Sequence, residues 1–346
     1  MQNKNRKYKS INGLRTIAAI CIILMHVAFN VKYDVSGVIG INVLSFFNDF
    51  VYLFMIISGF GMCCGYYEKI SKGEISIASF YQKRYEKIWP YFAVLVVFDL
   101  VMSFSVESLI EAVADLTLTF SLLPNPDISI IGVGWTLGVI FLFYMLFPFF
   151  CFLLKNKRRA WFAFIVAIFY NIAAQEYFMD SAHVVDGFRN RSNFAFCAMF
   201  FVVGGLVYLY RESVEQLVNK YKYIVLGIVW IITISYLIRP NGINKNVLNM
   251  WLLVIFILWL IYAIGTEGKI LNNKVTTFIS SISMEIYLCH MVIFRVAEKI
   301  KLTAVAGENI WSYIITVILV IGGSILFALY AKWFLNKVIV FIKKKR

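Results

Sequence analysis

Ten apolar runs alternate along the chain with short polar and basic connections, at about 12–32, 44–66, 88–105, 131–154, 160–178, 192–210, 223–238, 247–265, 276–295 and 309–333. A helix needs about 20 predominantly apolar residues to cross the hydrocarbon core of a bilayer. The pattern therefore predicts an all-α, polytopic membrane protein of about ten transmembrane helices in a single bundle. The longest connections run to about thirty residues, against the fifty or so that a soluble domain requires, so residues 1–346 read as one membrane domain. The first run is too long for the apolar region of a signal peptide and lacks a small-x-small cleavage site, and is expected to be a retained helix.

One connection has a rhythm of its own. Segment 103–130 carries Glu107, Glu111, Asp115 and Asp127, and between the acids it places Val106, Leu109, Ile110, Val113 and Leu116 at helical spacing. It is expected to form an amphipathic or re-entrant helix at the outer face, stopped at Pro124-Asn125-Pro126 and able to cap an extracytoplasmic opening. No internal repeat of the inverted-topology type is visible.

Composition agrees with the pattern: 61% of residues are hydrophobic, 15% are charged and the mean hydropathy is +0.78, well beyond the soluble norm. The net charge of +14 comes from basic residues scattered in short loops, with no soluble module to present them to nucleic acid. It fixes orientation instead. With the amino terminus placed in the cytoplasm, 24 Lys and Arg fall inside and 8 outside (Lys32, Arg189, Arg191, Arg239, Lys245, Arg295, Lys299 and Lys301), with Arg15 in the membrane. Cytoplasmic loops carry the excess of positive charge, so both termini are expected in the cytoplasm, the carboxyl one as a basic tail over 334–346. The six cysteines lie inside apolar runs without metal-ligand spacing and read as small packing residues. No metal is expected.

Chemistry enters with Arg15 and His26. Eleven residues is close to a whole number of helical turns, so both side chains leave the first helix in one direction, His26 about 16 Å further along. An ionisable group inside a membrane span is by default a functional-site hypothesis; the plainer alternative is a snorkelling arginine and a satisfied bundle histidine. Glu285, near the middle of the ninth run, is a third such group and is expected to be paired or protonated.

Four local sequences stand out against these spans: Asn12-Gly13-Leu14-Arg15 running to His26; Phe54-Met55-Ile56-Ile57-Ser58-Gly59-Phe60; Lys83-Arg84-Tyr85-Glu86-Lys87-Ile88-Trp89-Pro90; and Ser283-Met284-Glu285-Ile286-Tyr287-Leu288-Cys289-His290. Their order and spacing resemble the integral-membrane acyltransferase family called acyltransferase-3, whose members O-acylate surface polysaccharides, and the resemblance covers nearly the whole chain. It matches the family's Arg-x10-His pair in full and places His26 at the essential histidine. Arg84 and Lys87 resemble the family's Arg-x-x-Arg, which is associated with the acyl-CoA donor. Lysine in the second place keeps the charge and loses the two-pronged guanidinium. Trp135-Thr136-Leu137, Phe143-Tyr144 and Phe147-Pro148 resemble a further family block, but Ile140, Phe141 and Leu142 stand where many members have glutamate and glutamine.

The resemblance implies a multi-pass enzyme of a bacterial cell membrane that transfers an acyl group, commonly acetyl, from cytoplasmic acyl-CoA to a glycan hydroxyl on the outer side. Arg15, Arg84 and Lys87 would form a cationic mouth for the phosphates of acetyl-CoA, although the last two also fit ordinary positive-inside anchors. His26 would take a proton from the acceptor hydroxyl or carry the acyl group itself, and the residues leave both roles open. Glu285 or Asp99 would replace the missing acid as the partner of His26, while Tyr287 and His290 would face the acceptor near the outer surface. Trp135 and Tyr144 would line a sugar channel or pack, and Ser58-Gly59 would permit close helix contact. Some relatives carry an extracytoplasmic esterase-like domain, so transfer here is expected to be completed by this chain or by a separate extracytoplasmic transferase partner. The alternative class is a transporter of the same fold that moves a small solute without transfer.

Overall fold

The computed structural model describes residues 8–32, 37–123, 131–179, 182–184, 188–266 and 268–344, and among these all regular structure is helical. The helices are α1 (Ile11–Asn30), α2 (Gly37–Asn48), α3 (Phe50–Met62), α4 (Glu68–Ser71), α5 (Ile77–Met102), α6 (Val106–Leu116), α7 (Trp135–Leu154), α8 (Lys157–Ala173), α9 (Ala198–Leu209), α10 (Arg211–Leu237), α11 (Lys245–Gly265), α12 (Lys274–Ser281), α13 (Ser283–Lys299) and α14 (Ile310–Lys344). A five-residue π-turn, Cys63–Tyr67, joins α3 to α4.

Among the described residues, seven helices are long and apolar enough to cross a membrane, and eight if α12 and α13, bent by 70° at their junction, form one span. The expected runs at 88–105 and 192–210 fall on α5 and α9. The first half of α5 carries Lys83, Arg84, Glu86 and Lys87, and α9 has only 12 residues. Large side chains such as Phe162 (68% exposed), Ile231 (69%) and Leu326 (70%) point outward from α8, α10 and α14. Apolar faces of that extent are what lipid tails cover.

Helix α1 is the shared stave of the bundle. It packs against α2, α3, α11, α12, α13 and α14, and between its two polar groups Ala18, Ala19, Ile22 and Ile23 are wholly buried. At its start, Ser10 Oγ donates to the Thr266 carbonyl and Thr16 Oγ1 to the Thr276 carbonyl at 3.1 Å. These bonds tie α1 to α12 and to the end of α11.

At the α3–α9 crossing the backbones approach closely, and its glycines explain it. A Cβ on Gly59 would collide with the carbonyl of Phe201, and one on Gly204 with the carbonyl of Ile56. The two backbones touch because neither residue has a side chain, which is how helices associate in lipid, where no hydrophobic force separates them from their solvent. The contact brings Tyr52 face to face with Phe200, with ring centroids 4.1 Å apart. The expectation for Ser58-Gly59 is met at this crossing.

Helix α6 runs back alongside α5, with the Trp89 indole N–H donating to the Leu116 carbonyl at 2.9 Å. Trp89 lies thirteen residues before the end of α5, about 20 Å down the helix at 1.5 Å per residue, so α6 folds back along α5. Its start is capped by Ser105 and Ser108, which bond each other's backbone N–H. The expected Pro124-Asn125-Pro126 stop lies outside the described residues.

If the α3–α9 contact sets the bundle, Gly204→Leu will destabilise the protein by about 1–3 kcal/mol and lower its thermal unfolding midpoint in detergent. Gly227→Leu on α10, whose Cβ would meet nothing within 4 Å, is the matched control and will leave the midpoint in place.

Candidate active site

The cations grouped by the sequence at one mouth do lie together. Arg84 reaches from α5 to the π-turn, where Nη2 donates to the Tyr66 hydroxyl at 2.5 Å and Nη1 to Met62 Sδ at 3.6 Å. Its guanidinium lies 4.5 Å from the centre of the Tyr66 ring and 5.9 Å from that of Tyr144, a cation–π arrangement that holds the charge without neutralising it. Arg15 comes in from α1. Gly61 makes room for it, since a Cβ there would stand 3.2 Å from Arg15 Nη2, and Tyr144 is among its electrostatic neighbours. Lys87 is one turn beyond Arg84 and lies within the fields of Arg84, Arg15, Glu285 and Lys332.

Glu285 belongs to this same end. Its carboxylate pairs with Lys332 Nζ at 2.7 Å, and the same ammonium donates to the Ser281 carbonyl at 2.9 Å. Lys332 thus sits across the α12–α13 break, a cation at the carbonyl end of one helix and against an acid in the first turn of the next. Both contacts are favourable to the helix dipoles. A broken helix in a membrane must have its freed carbonyls satisfied, and here a lysine from α14 does so.

Eleven residues along α1, His26 stands beside His290 of α13, with ring centroids 5.0 Å apart and planes at 49°. His290 is 0% exposed. Its Nδ1 lies 2.6 Å from the Tyr287 carbonyl, and a carbonyl can only accept, so Nδ1 carries the proton and, in the neutral ring, Nε2 is a bare lone pair. That Nε2 is buried without a hydrogen-bond partner. His290 is a wholly buried neighbour of His26, and α13 begins only at Ser283, so His290 is two turns inside the helix.

His26 opens on a cavity of about 1510 Å³, larger than the roughly 300–1,000 Å³ of a small-molecule pocket. Its wall includes Asp49, Asp99 and Arg191, and amides from Asn30, Asn48 and Asn249. Arg191 Nη1 donates to Asn48 Oδ1 at 2.7 Å and its guanidinium lies 5.0 Å from the Trp135 ring centre. Asp49, which precedes α3, takes a hydrogen bond from the Tyr236 hydroxyl at 3.4 Å.

Trp135 therefore supports a cavity arginine from beneath. Tyr144, expected to line a sugar channel or to pack, stands near the Arg84 guanidinium at the other end. Tyr287 is buried, its hydroxyl 2.8 Å from that of Thr136 and donating to the Val133 carbonyl at 3.1 Å; it joins α13 to the start of α7 and serves His290 through its backbone carbonyl. Glu285 pairs with Lys332 rather than with His26. Asp99 does share the cavity wall with His26, but among the described residues no carboxylate hydrogen-bonds the His26 ring. Of the described residues of segment 103–130 up to Leu123, Ser103 at its start borders this cavity.

Sequence reasoning missed Tyr66, Lys332 and the presence of Asp49 and Arg191 in one cavity wall. The π-turn that presents Tyr66 has no motif, and Lys332 reads as one more basic residue of the last helix. Asp49, an acid between two apolar helices, was the one visible signal.

A family model described as an acyltransferase domain matches residues 8–329. No curated protein and no solved structure matches the chain at a significant level. The match spans the Arg15–His26 helix, the Arg84–Lys87 approach and the His290 helix together, and the chain is a multi-pass membrane protein that belongs to the acyltransferase-3 family.

Proposed function

We propose that the protein carries an acyl group, acetyl in the first instance, from cytoplasmic acyl-CoA to a hydroxyl of an extracytoplasmic glycan at a bacterial cell membrane. One observation carries this reading: a single helix holds two chemically different stations, a cation cluster at one end and an imidazole pair facing a polar cavity at the other. The charge asymmetry of the loops turns the cation cluster toward the cytoplasm, where acyl-CoA is found, and the cavity toward the outside.

Arg15, Arg84 and Lys87, with Lys332 beside them, bind the phosphates through charge-assisted hydrogen bonds. The pantetheine arm then extends along α1 and presents the thioester to His26. As the acceptor oxygen attacks the thioester carbonyl, a C–O bond forms and the C–S bond breaks, its electron pair leaving on sulfur. His26 takes the hydroxyl proton and returns it to the thiolate, releasing coenzyme A. The bare Nε2 of His290 beside His26 supplies a second proton acceptor. Solute transport has less support, because α1 presents only Ala18, Ala19, Ile22 and Ile23 as wholly buried apolar groups between the two stations.

Titration of detergent-purified protein with acetyl-CoA tests the donor mouth. Arg84→Ala will weaken binding about 10- to 100-fold, the equivalent of losing a charged hydrogen bond, and Tyr66→Phe about threefold by freeing Arg84. His26→Ala will bind normally and lower transfer by about 10²–10⁴-fold. Absence of wild-type binding up to millimolar donor would sink the reading.

The histidine pair is tested separately by transfer rate. His290→Phe will reduce turnover about 10²-fold with donor affinity unchanged, whereas Tyr287→Phe, which keeps the carbonyl that orients His290, will remain within a few-fold of wild type. Equal loss in both variants would assign His290 a packing role only.

A further inference from the structure

The cavity in front of His26 is cationic, and its charge has no counterpart in the transfer chemistry. Arg189, Arg191, Arg239, Lys245, Arg295 and Lys299 all line it, against the carboxylates of Asp49 and Asp99 among the described residues. These six are all but Lys32 and Lys301 of the basic residues on the outer side. Membrane topology depletes outer segments of lysine and arginine, so the convergence of the remaining ones on one cavity calls for a reason of its own. Like charges brought together repel, and a concave wall of one sign concentrates the opposite ion.

Some of these cations are held in place and others are free to meet a ligand. Arg191 is fixed by Asn48 and Trp135, Arg239 Nη1 donates to the Tyr236 carbonyl at 2.8 Å, and Arg295 pairs with Glu298 at 2.8 Å and bonds Asn30 Oδ1 at 3.2 Å. Arg189, Lys245 and Lys299 are exposed, and no described residue forms an ion pair with them. Between the cations the wall offers Asn30, Asn48, Asn190, Asn249 and Gln175, amides that donate to and accept from hydroxyl groups. Cations alone would suit any anion, a phospholipid headgroup included. The amides and the volume add a polyhydroxylated chain.

We infer that the acceptor bound in this cavity is an anionic glycan, one that carries carboxylate or phosphate groups along a chain of free hydroxyls, and that the six cations set its position so that a hydroxyl meets His26. The inference rests on the acyl-transfer reading for the role of His26, but the recognition itself is a binding event and is measured without transfer.

The experiment uses the full chain in nanodiscs of zwitterionic lipid. Binding of fluorescent hexamers is followed by anisotropy: oligogalacturonate for carboxylate, oligo(glycerol phosphate) for phosphate, and maltohexaose as the neutral match. At least one anionic hexamer is expected to bind tenfold or more tightly than maltohexaose, with an affinity that falls as salt rises. Because Arg189, Lys245 and Lys299 are exposed, the triple variant Arg189→Glu, Lys245→Glu, Lys299→Glu is expected to fold, to bind acetyl-CoA like the wild type and to lose the anionic hexamer by tenfold or more. It is expected to gain affinity for a cationic glucosamine hexamer. Equal binding of neutral and anionic hexamers, or an unchanged triple variant, overturns the inference. So does displacement of every hexamer by anionic phospholipid, which assigns the cations to a lipid. If the anionic hexamer binds with the expected charge dependence and no acyl transfer follows, recognition stands and the enzymatic reading falls; if neutral glycans are acylated as fast as anionic ones, the reverse holds.

Discussion

Everything at the two polar stations depends on the rigidity of α1. An α-helix advances 1.5 Å per residue, so Arg15 and His26 are held about 16 Å apart on one face, and neither can approach the other without breaking the helix. Six other helices pack on α1, and its buried face of Ala18, Ala19, Ile22 and Ile23 leaves no slack for bending. The cation cluster and the imidazole pair are therefore fixed with respect to each other by backbone hydrogen bonds, the sturdiest element that a membrane protein has.

The remaining polar groups are placed by partners matched to a dry surrounding. Arg84 and Arg191 lie over aromatic rings, which hold a cation in place while leaving its donors available. Glu285, which has a unit charge to satisfy, receives it from Lys332 at 2.7 Å. His290 has its donor engaged by a carbonyl one turn back on its own helix. A burial penalty of several kcal/mol for an unpaired group in hydrocarbon explains why each of these side chains has a specific neighbour, and why so many of those neighbours are tyrosine and tryptophan.

The course of the helices was legible in the sequence; the partner across helices was not. Apolar run length marked where helices lie, the eleven-residue spacing put Arg15 and His26 on one face, and Gly59 marked a close crossing. The pairing of His290 with His26 was not visible in the run 276–295, which reads as one straight helix. The break after Ser281 bends the chain by 70°, so residues counted from the run's start do not measure depth on α13. Tyr144 and Trp135 share helix α7 but serve opposite ends, 20 residues of helix being long enough to span both; their shared membership of one motif hid that separation. Lys332 and Ser281 are 51 residues apart, and nothing local to either announces that one closes the gap left by the other.

The dry stretch of α1 between the stations has a further meaning for the cell that carries this protein. A cavity of about 1510 Å³ and a charged mouth on opposite sides would, if joined by water, form a leak that dissipates the membrane potential, which is worth about 2.3 kcal/mol per elementary charge for each 100 mV. Between the two stations, the wholly buried side chains of α1, those of Ala18, Ala19, Ile22 and Ile23, carry no polar atom on which such a water path could rest. A helix packed in this way resists the ordering of water along its length, and the apolar stretch of α1 does so at the cost of four small or branched side chains.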